Sequence, residues 1–233
     1  MEYIIKGDNL PVLICKLDKG DVVKTESGAM IWMSPDIKME TIAGSVKKMF
    51  GRMITGEAAF QNKFTAQRDN SEIAFGSCFP GSILPVEIDK DHPIIVQKRG
   101  FLAGTARIEL SVFLNKKIGS GLFGGEGFLM QKVSGEGTAF IEIDGAACTY
   151  ELKEGEKMIV NSGYLALVSN TCKLDIQLVK GIKNVLFGGE GLFFATVTGP
   201  GKIILQTMPI SSLADSIYPY LPKTEIKQEP KGE

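Results

Sequence analysis

The sequence has little histidine, which limits the kinds of metal site and catalytic site that the protein can form. His92 is the single histidine among 233 residues, and it precedes Pro93 in a predicted turn between two strands. A metal site built from several histidines is therefore excluded. We expect His92 to be an exposed turn residue, so no Ser-His-Asp triad is predicted. Any general acid or base would have to be Asp, Glu or Lys.

Cysteines are also few, and their spacing excludes the usual cysteine sites. The four cysteines, Cys15, Cys78, Cys148 and Cys172, form no Cys-x-x-Cys pair and have no neighbouring histidine. Zinc ribbons and redox motifs of the thioredoxin type need such close pairs. We expect buried, reduced thiols of a cytosolic protein.

Net charge and long apolar runs are lacking as well. The 26 basic and 27 acidic residues leave a formal charge of -1. This near-neutral charge disfavours a protein that binds the phosphate backbone of nucleic acids. No apolar run approaches the roughly 20 residues that span a bilayer, so no transmembrane segment is predicted. The N-terminal residues show no basic segment ahead of an apolar one. We expect a cytoplasmic protein.

What the sequence does contain is a repeated motif. Leu-Phe-Gly-Gly-Glu-Gly occurs at residues 122–127 and again at 186–191, and a divergent copy, Ile-Thr-Gly-Glu-Ala, lies at 54–58. Glu57, Glu126 and Glu190 correspond in the three copies. Gly28, Gly100 and Gly163 provide a second set of corresponding positions at a similar spacing, and the Gly-x-Gly turns at 135–137 and 199–201 match each other. Repetition at a regular period indicates a duplicated structural unit.

The residue pattern within each copy is that of β-strands. Apolar and polar residues alternate over residues 108–114 and 172–178, which places one apolar face toward a core. Further predicted strands are 3–6, 12–17, 30–34, 58–65, 83–88, 128–133, 138–143, 158–160, 193–197 and 202–206. Short strands that recur between turn residues predict an all-β sandwich or barrel.

Helix signals are rare. Pro209, the capping-box spacing of Ser212 and Asp215, and a stop at Pro219 predict one short helix within residues 211–221. A helical turn is predicted over residues 43–50, and residues 222–233 are predicted to form a flexible tail.

From the repeated motif and the strand pattern together, we expect three β-sandwich-like repeats around a pseudo-threefold axis. The predicted repeats are residues 1–78, 79–149 and 150–210, and two larger sandwiches are the alternative.

The glycine-rich stretches resemble ligand-binding loops only superficially. Residues 119–124 match Gly-x-Gly-x-x-Gly, but a predicted strand follows where a nucleotide fingerprint needs a helix. The corresponding residues 183–188 lack the first two glycines, so nucleotide binding is disfavoured and no cofactor is predicted. The repeated motif is better explained as a tight turn or bulge.

The repeated glutamates are the candidate site. If the repeats surround a threefold axis, Glu57, Glu126 and Glu190 are equivalent, and three converging carboxylates would bind a cation or share a proton. The alternative is that they point outward at three separate corners and serve structure only.

A basic and apolar segment is the other candidate feature. Lys47, Lys48 and Arg52 accompany Met49 and Phe50, as in elements that bind a membrane surface or a partner. An insertion with solvated charges is the alternative. Trp32 and Met33 are predicted to be core or interface residues.

Together these segments resemble the altered inheritance of mitochondria type 24 family, over residues 3–207. The resemblance rests on Tyr-Ile-Ile-Lys-Gly-Asp at 3–8, Glu-Ser-Gly-Ala-Met at 26–30, Thr-Gly-Glu at 55–57, Pro-Gly at 80–81, both Leu-Phe-Gly-Gly-Glu-Gly segments, and Gly-Pro-Gly at 199–201. It implies an all-β fold similar to the tryptophan RNA-binding attenuator protein. The bacterial and archaeal members have no known function, so no catalytic residue follows from the resemblance.

The predicted function is a non-enzymatic binding or scaffold module that forms homo-oligomers and can also bind protein partners. The reason is that repeated β units present many strand edges with which other chains can pair. One alternative is a metal or small-molecule site that uses the equivalent glutamates. The other is RNA binding by analogy of fold, which fold alone does not support.

Overall fold

The computed structural model describes residues 1–26, 28–43, 60–116, 128–178 and 193–221, and these are mostly strands. The strands are β1 Glu2–Lys6, β2 Val12–Leu17, β3 Val22–Glu26, β4 Met30–Met33, β5 Ile37–Ala43, β6 Phe60–Ala66, β7 Ser71–Gly76, β8 Gly81–Ile88, β9 Ile94–Gln97, β10 Phe101–Thr105, β11 Ile108–Lys116, β12 Phe128–Gly135, β13 Gly137–Asp144, β14 Ala147–Leu152, β15 Lys157–Asn161, β16 Leu165–Ser169, β17 Lys173–Leu178, β18 Phe193–Thr198 and β19 Gly201–Gln206. One α-helix, α1 Ile210–Ile217, and 3-10 helices at Ser162–Tyr164 and Tyr218–Tyr220 complete the description. The prediction of an all-β fold with a short C-terminal helix is confirmed.

The strands form four antiparallel sheets. Two have six strands, in the orders β5-β6-β3-β10-β13-β8 and β11-β12-β9-β16-β19-β14. The other two are β1-β2-β7-β4 and β15-β18-β17. Each six-stranded sheet joins strands from two successive thirds of the chain through one central pair, β3 with β10 or β9 with β16.

A β-bulge occurs in four of the strand pairs that the structure describes. In one of them, Phe113 is the extra residue where β11 pairs with β12. Ile31 is the extra residue where β4 pairs with β7, Leu102 where β10 pairs with β13, and Ala166 where β16 pairs with β19. A bulge bends its strand and increases the local twist.

Three apolar clusters form the core. The first cluster contains Leu13, Phe64 and Phe75. The second contains Leu165 and Ile203, and the third contains Val96 and Ile141. Phe64 and Phe75 meet edge to face, with ring centroids 5.8 Å apart. The clusters take residues from neighbouring thirds of the chain; the first, for example, includes Phe140 of β13.

The predicted Gly-x-Gly turns have matching geometry at their second glycine. Gly137 and Gly201 adopt φ values of +128° and +142°, which disfavour any residue with a Cβ. A Cβ on either would also lie 2.1 Å and 2.5 Å, respectively, from the Oγ1 atoms of Thr105 and Thr171. Glycine is required at both positions by conformation and by space.

The helix starts earlier than the capping box predicts. α1 begins at Ile210 after Pro209, which makes no side-chain cap, so Ser212 lies inside the first turn. The amide of Ile210 instead donates to Asp144 Oδ2 at 3.0 Å. A carboxylate distant in sequence therefore replaces the local cap.

Other predictions have mixed outcomes. Residues 12–17 form β2 as predicted, whereas Ile37–Ala43 and Ser71–Gly76 form strands that the pattern did not reveal. Ala43 ends β5, and the rest of the helical turn predicted over 43–50 lies outside the described residues, as does the tail 222–233. All four cysteines are free thiols, but Cys78 and Cys148 are exposed rather than buried.

Candidate functional site

The three glutamates predicted as metal ligands, Glu57, Glu126 and Glu190, lie outside the described residues. Each belongs to a segment that connects two paired strands: β5 with β6, β11 with β12, and β17 with β18. The metal site therefore stays a prediction. The basic segment with Lys47, Lys48 and Arg52 and the glycines of 119–124 also lie outside the described residues. Among the residues that are described, no group of three His, Cys, Asp or Glu side chains is placed to hold a metal ion.

His92 is an exposed turn residue, as predicted. Its Nδ1 atom lies 2.9 Å from both carboxylate oxygens of Asp89. The hydrogen bond and the negative charge of Asp89 raise the pKa of His92, and the partner lowers the pKa of Asp89. Asp89 also accepts the amides of Asp91 and His92, so this pair fixes the turn between β8 and β9.

Two carboxylates at the end of β13 form a polar cluster that the sequence did not single out. Glu142 Oε1 accepts the hydroxyl of Ser77 at 2.5 Å and the amide of Cys78 at 3.0 Å. Burial raises the pKa of Glu142, although both hydrogen bonds oppose that shift. Burial also raises the pKa of Asp144, whose Oδ2 accepts the amide of Ile210. Both carboxylates thus hold connecting segments in place.

Gln206 of β19 plays a similar part. Its Nε2 donates to Gln97 Oε1 at 2.7 Å and to the carbonyl of Gly163 at 2.8 Å, and its Oε1 accepts the amide of Asp144 at 3.2 Å. Gln206 is buried, so these bonds satisfy a side chain removed from water. The cluster joins the β7–β8 and β15–β16 connections, the end of β9 and the start of α1, so its hydrogen bonds hold the fold together.

A different surface has the properties of a binding site. In the described part of the chain, every large apolar side chain that is exposed on a strand lies on an outermost strand of its sheet. These side chains are Tyr3 and Ile4 on β1, Ile31 and Trp32 on β4, Met39 and Ile42 on β5, Val112 and Phe113 on β11, Tyr150 on β14, and Ile159 on β15. An edge strand generally presents backbone N–H and C=O groups with which another strand can pair, and here exposed apolar side chains lie beside them.

The edge strand β4 is the most apolar of these. Its residues run Met-Ile-Trp-Met, and it bears no charge. Trp32 is held by a hydrogen bond from its Nε1 to Glu72 Oε1 at 3.1 Å, which fixes the indole on the surface. The hydrophobic strand run was visible in the sequence, but its position at a sheet edge was not.

The C-terminal helix adds exposed apolar groups. Ile210, Ile217, Tyr218 and Tyr220 are exposed, and α1 has no buried residue. Its Ser212 Oγ lies 3.4 Å from the hydroxyl of Tyr164. Within the described ranges, no helix is sufficiently long and apolar to cross a membrane.

Comparison with known proteins identifies a matching family and a solved structure with a similar fold. The family described as "Mitochondrial biogenesis AIM24" matches residues 3–208 of the chain. The chain belongs to the AIM24 family. Its fold is similar to the crystal structure of a Streptococcus pyogenes protein from a structural genomics consortium, with a TM-score of 0.78 and 21% sequence identity over 94% of this chain and 99% of the other. No curated protein matches the AIM24 chain.

Proposed function

We propose that this AIM24 protein is a non-enzymatic binding or scaffold module that self-associates through its sheet edges. One observation carries the proposal: the apolar side chains exposed on described strands are confined to edge strands. An edge strand offers directional backbone hydrogen bonds, and apolar neighbours add burial when another strand pairs with it. Such edges are used for oligomer formation and for capturing extended peptides.

The polar groups support the same function. Glu142 and Asp144, the carboxylates with raised pKa values, are occupied by backbone amides, and Gln206 is occupied in the same way. Groups committed to holding the fold contribute to rigidity rather than to chemistry. A rigid body with apolar edges suits a scaffold.

We propose further that the body consists of three β units. The pairs β2–β7, β8–β13 and β14–β19 occupy the same place in successive thirds, and so do β5–β6, β11–β12 and β17–β18. The predicted boundary between residues 149 and 150 falls inside β14, so we place it at the turn 145–146. The recurrent bulges at Ile31, Leu102 and Ala166 support the same division.

Sedimentation velocity of the full chain across the micromolar range tests the scaffold proposal. We expect species at multiples of the chain mass that grow with concentration and persist at high salt, because apolar edges rather than surface charges drive association. A monomer at every concentration, in both low and high salt, would overturn self-association.

A further inference from the structure

We propose that self-association occurs at one specific pair of edges: β15 of one copy pairs in antiparallel fashion with β4 of a second copy of this chain. This inference rests on the proposed scaffold function and on the three-unit division. It adds the strands, the register and the partner.

The pairing that we propose already exists twice within the chain. β3 pairs antiparallel with β10, where Thr25 lies opposite Ala103 and Lys24 opposite Gly104. β9 pairs with β16 in the same register, where Val96 lies opposite Leu167 and Ile95 opposite Val168. Both pairs join one unit to the next.

β15 and β4 are the strands that would form the third such pair. β15 pairs with β18 as β3 pairs with β6 and β9 with β12. β4 pairs with β7, through a bulge, as β10 pairs with β13 and β16 with β19. Yet β15 and β4 belong to separate sheets, and neither has a second neighbour among the described strands.

Side-chain exposure marks the same difference. Ile159 of β15 is 70% exposed, whereas Ile95 at the corresponding position of β9 is 1% exposed. Trp32 of β4 is 43% exposed, whereas its counterparts Ala103 and Leu167 are 0% and 3% exposed. The surfaces that are covered at two unit junctions are open at the third.

The bulge residues follow the same pattern. Ile31 is 51% exposed, and the bulge residues Leu102 and Ala166 are each 2% exposed. β4 also lacks the charged residues that commonly protect an edge from pairing. Its surface is therefore built like an interface.

A second copy fits both open edges. Among the described strands, each chain has one open edge of each kind. β15 of one copy therefore meets β4 of the next, and a sheet of four strands and a sheet of three become one continuous sheet. Transferring the internal register places Trp32 opposite Val160 and Met33 opposite Ile159. Apolar side chains then face one another across the junction.

Cross-linking tests the register. Met33→Cys and Ile159→Cys are combined in the full chain with Cys78→Ser and Cys148→Ser, which remove the exposed thiols. Cys15 and Cys172 remain; both are buried, and burial raises the pKa of Cys15 to about 12, which keeps its thiol unreactive. With a short bismaleimide we expect covalent dimers and larger multiples. The matched control carries Ile42→Cys on the β5 edge in place of Met33→Cys.

The outcomes separate the alternatives. A cross-link within one chain, seen as a monomer joined between residues 33 and 159 by peptide mapping, would show that the chain closes on itself and would overturn the inference. Equal cross-linking of the β5 control would overturn the register. Absence of any cross-link in a chain that sediments as an oligomer would also overturn the inference, while leaving the scaffold proposal standing.

A charge on the proposed interface provides the second measurement. Ile159→Lys changes a residue that is already largely exposed, so the fold should tolerate it. We expect it to weaken self-association at least about tenfold, because pairing would bury the new ammonium group. Ile42→Lys on the β5 edge is the control and should leave association within about twofold. Equal effects of the two variants would contradict the choice of β15. An oligomer unaffected by either variant would refute the inference alone, and a wild-type monomer would refute both proposals.

Discussion

At the scale of single residues, Glu142 shows how a partly buried carboxylate holds the backbone of a connecting segment in place. Its Oε1 accepts a hydroxyl and an amide from the segment that links β7 to β8. These bonds favour the charged form, but burial outweighs them, and the pKa of Glu142 is raised. Gln206 performs the corresponding task for Asp144 without a charge, which indicates that a neutral acceptor suffices there.

We therefore predict that Glu142→Gln flattens part of the dependence of stability on pH. A raised pKa in the folded state means that the contribution of Glu142 is fully present below the unfolded-state pKa and is lost as pH rises through the folded-state pKa. Above that range the glutamine variant should be as stable as the wild type or more stable, by about 1 kcal/mol at most. Urea unfolding from about pH 4, near the ordinary pKa of glutamate, up to about pH 8, well above it, measures the difference.

The serine partner provides the control for this prediction. Ser77→Ala removes one hydrogen bond while keeping the carboxylate, so the wild-type direction of the pH dependence should persist. If Glu142→Gln and the wild type gave parallel curves, Glu142 would not titrate with a raised pKa.

At the scale of elements, strands with a clear alternation of apolar and polar residues were predicted well. The edge strand β5 and the start of the helix were not. β2 spans the predicted residues 12–17, and the alternation at 108–114 lies within β11. β5 was missed because Ile37–Ala43 mixes exposed apolar and charged side chains, as an edge strand does. The start of α1 was misplaced because its first amide is bound by Asp144, which no local pattern reveals.

The docking of α1 leads to a prediction for Asp144. Asp144→Ala removes the acceptor of the Ile210 amide and should destabilise the first turn of the helix by about 1 kcal/mol, as loss of an N-cap does. Hydrogen exchange of residues 210–217 should quicken, while exchange in the central strands stays unchanged. Asp144→Asn retains an acceptor and should exchange more slowly than the alanine variant. Asp215→Ala, an exposed change on the same helix, serves as the position control, and an equal effect there would argue against the cap.

At the scale of the whole molecule, two of the four sheets among the described strands connect successive thirds of the chain. Both six-stranded sheets cross from one third into the next, and each core cluster contains residues from more than one third. Thr25 strengthens one crossing, since its buried hydroxyl donates to the carbonyl of the bulge residue Leu102 at 2.6 Å. Among the described residues, no third has a core cluster of its own that excludes residues of the other thirds.

We therefore predict that the three thirds unfold together. The fluorescence of Trp32, the single tryptophan, reports on the first third, and far-ultraviolet circular dichroism reports on all strands. Their denaturation midpoints in guanidinium chloride should coincide to within about the error of the measurement, as in a cooperative transition. A tryptophan transition well below the circular dichroism transition, with a midpoint that does not change with protein concentration, would show that the first third unfolds alone and not that two copies dissociate.

The residue pattern predicts the class of fold, because alternating apolar residues and frequent turn residues leave few alternatives to antiparallel sheets. It also indicated that Gly137 and Gly201 share one role, since their turns match. Tertiary structure alone decided which strands became edges: Ile95 and Ile159 are similar strand residues in sequence, and one is buried while the other is exposed. The reason is that an edge is defined by a missing neighbour, and neighbours in a sheet are brought together from distant parts of the chain.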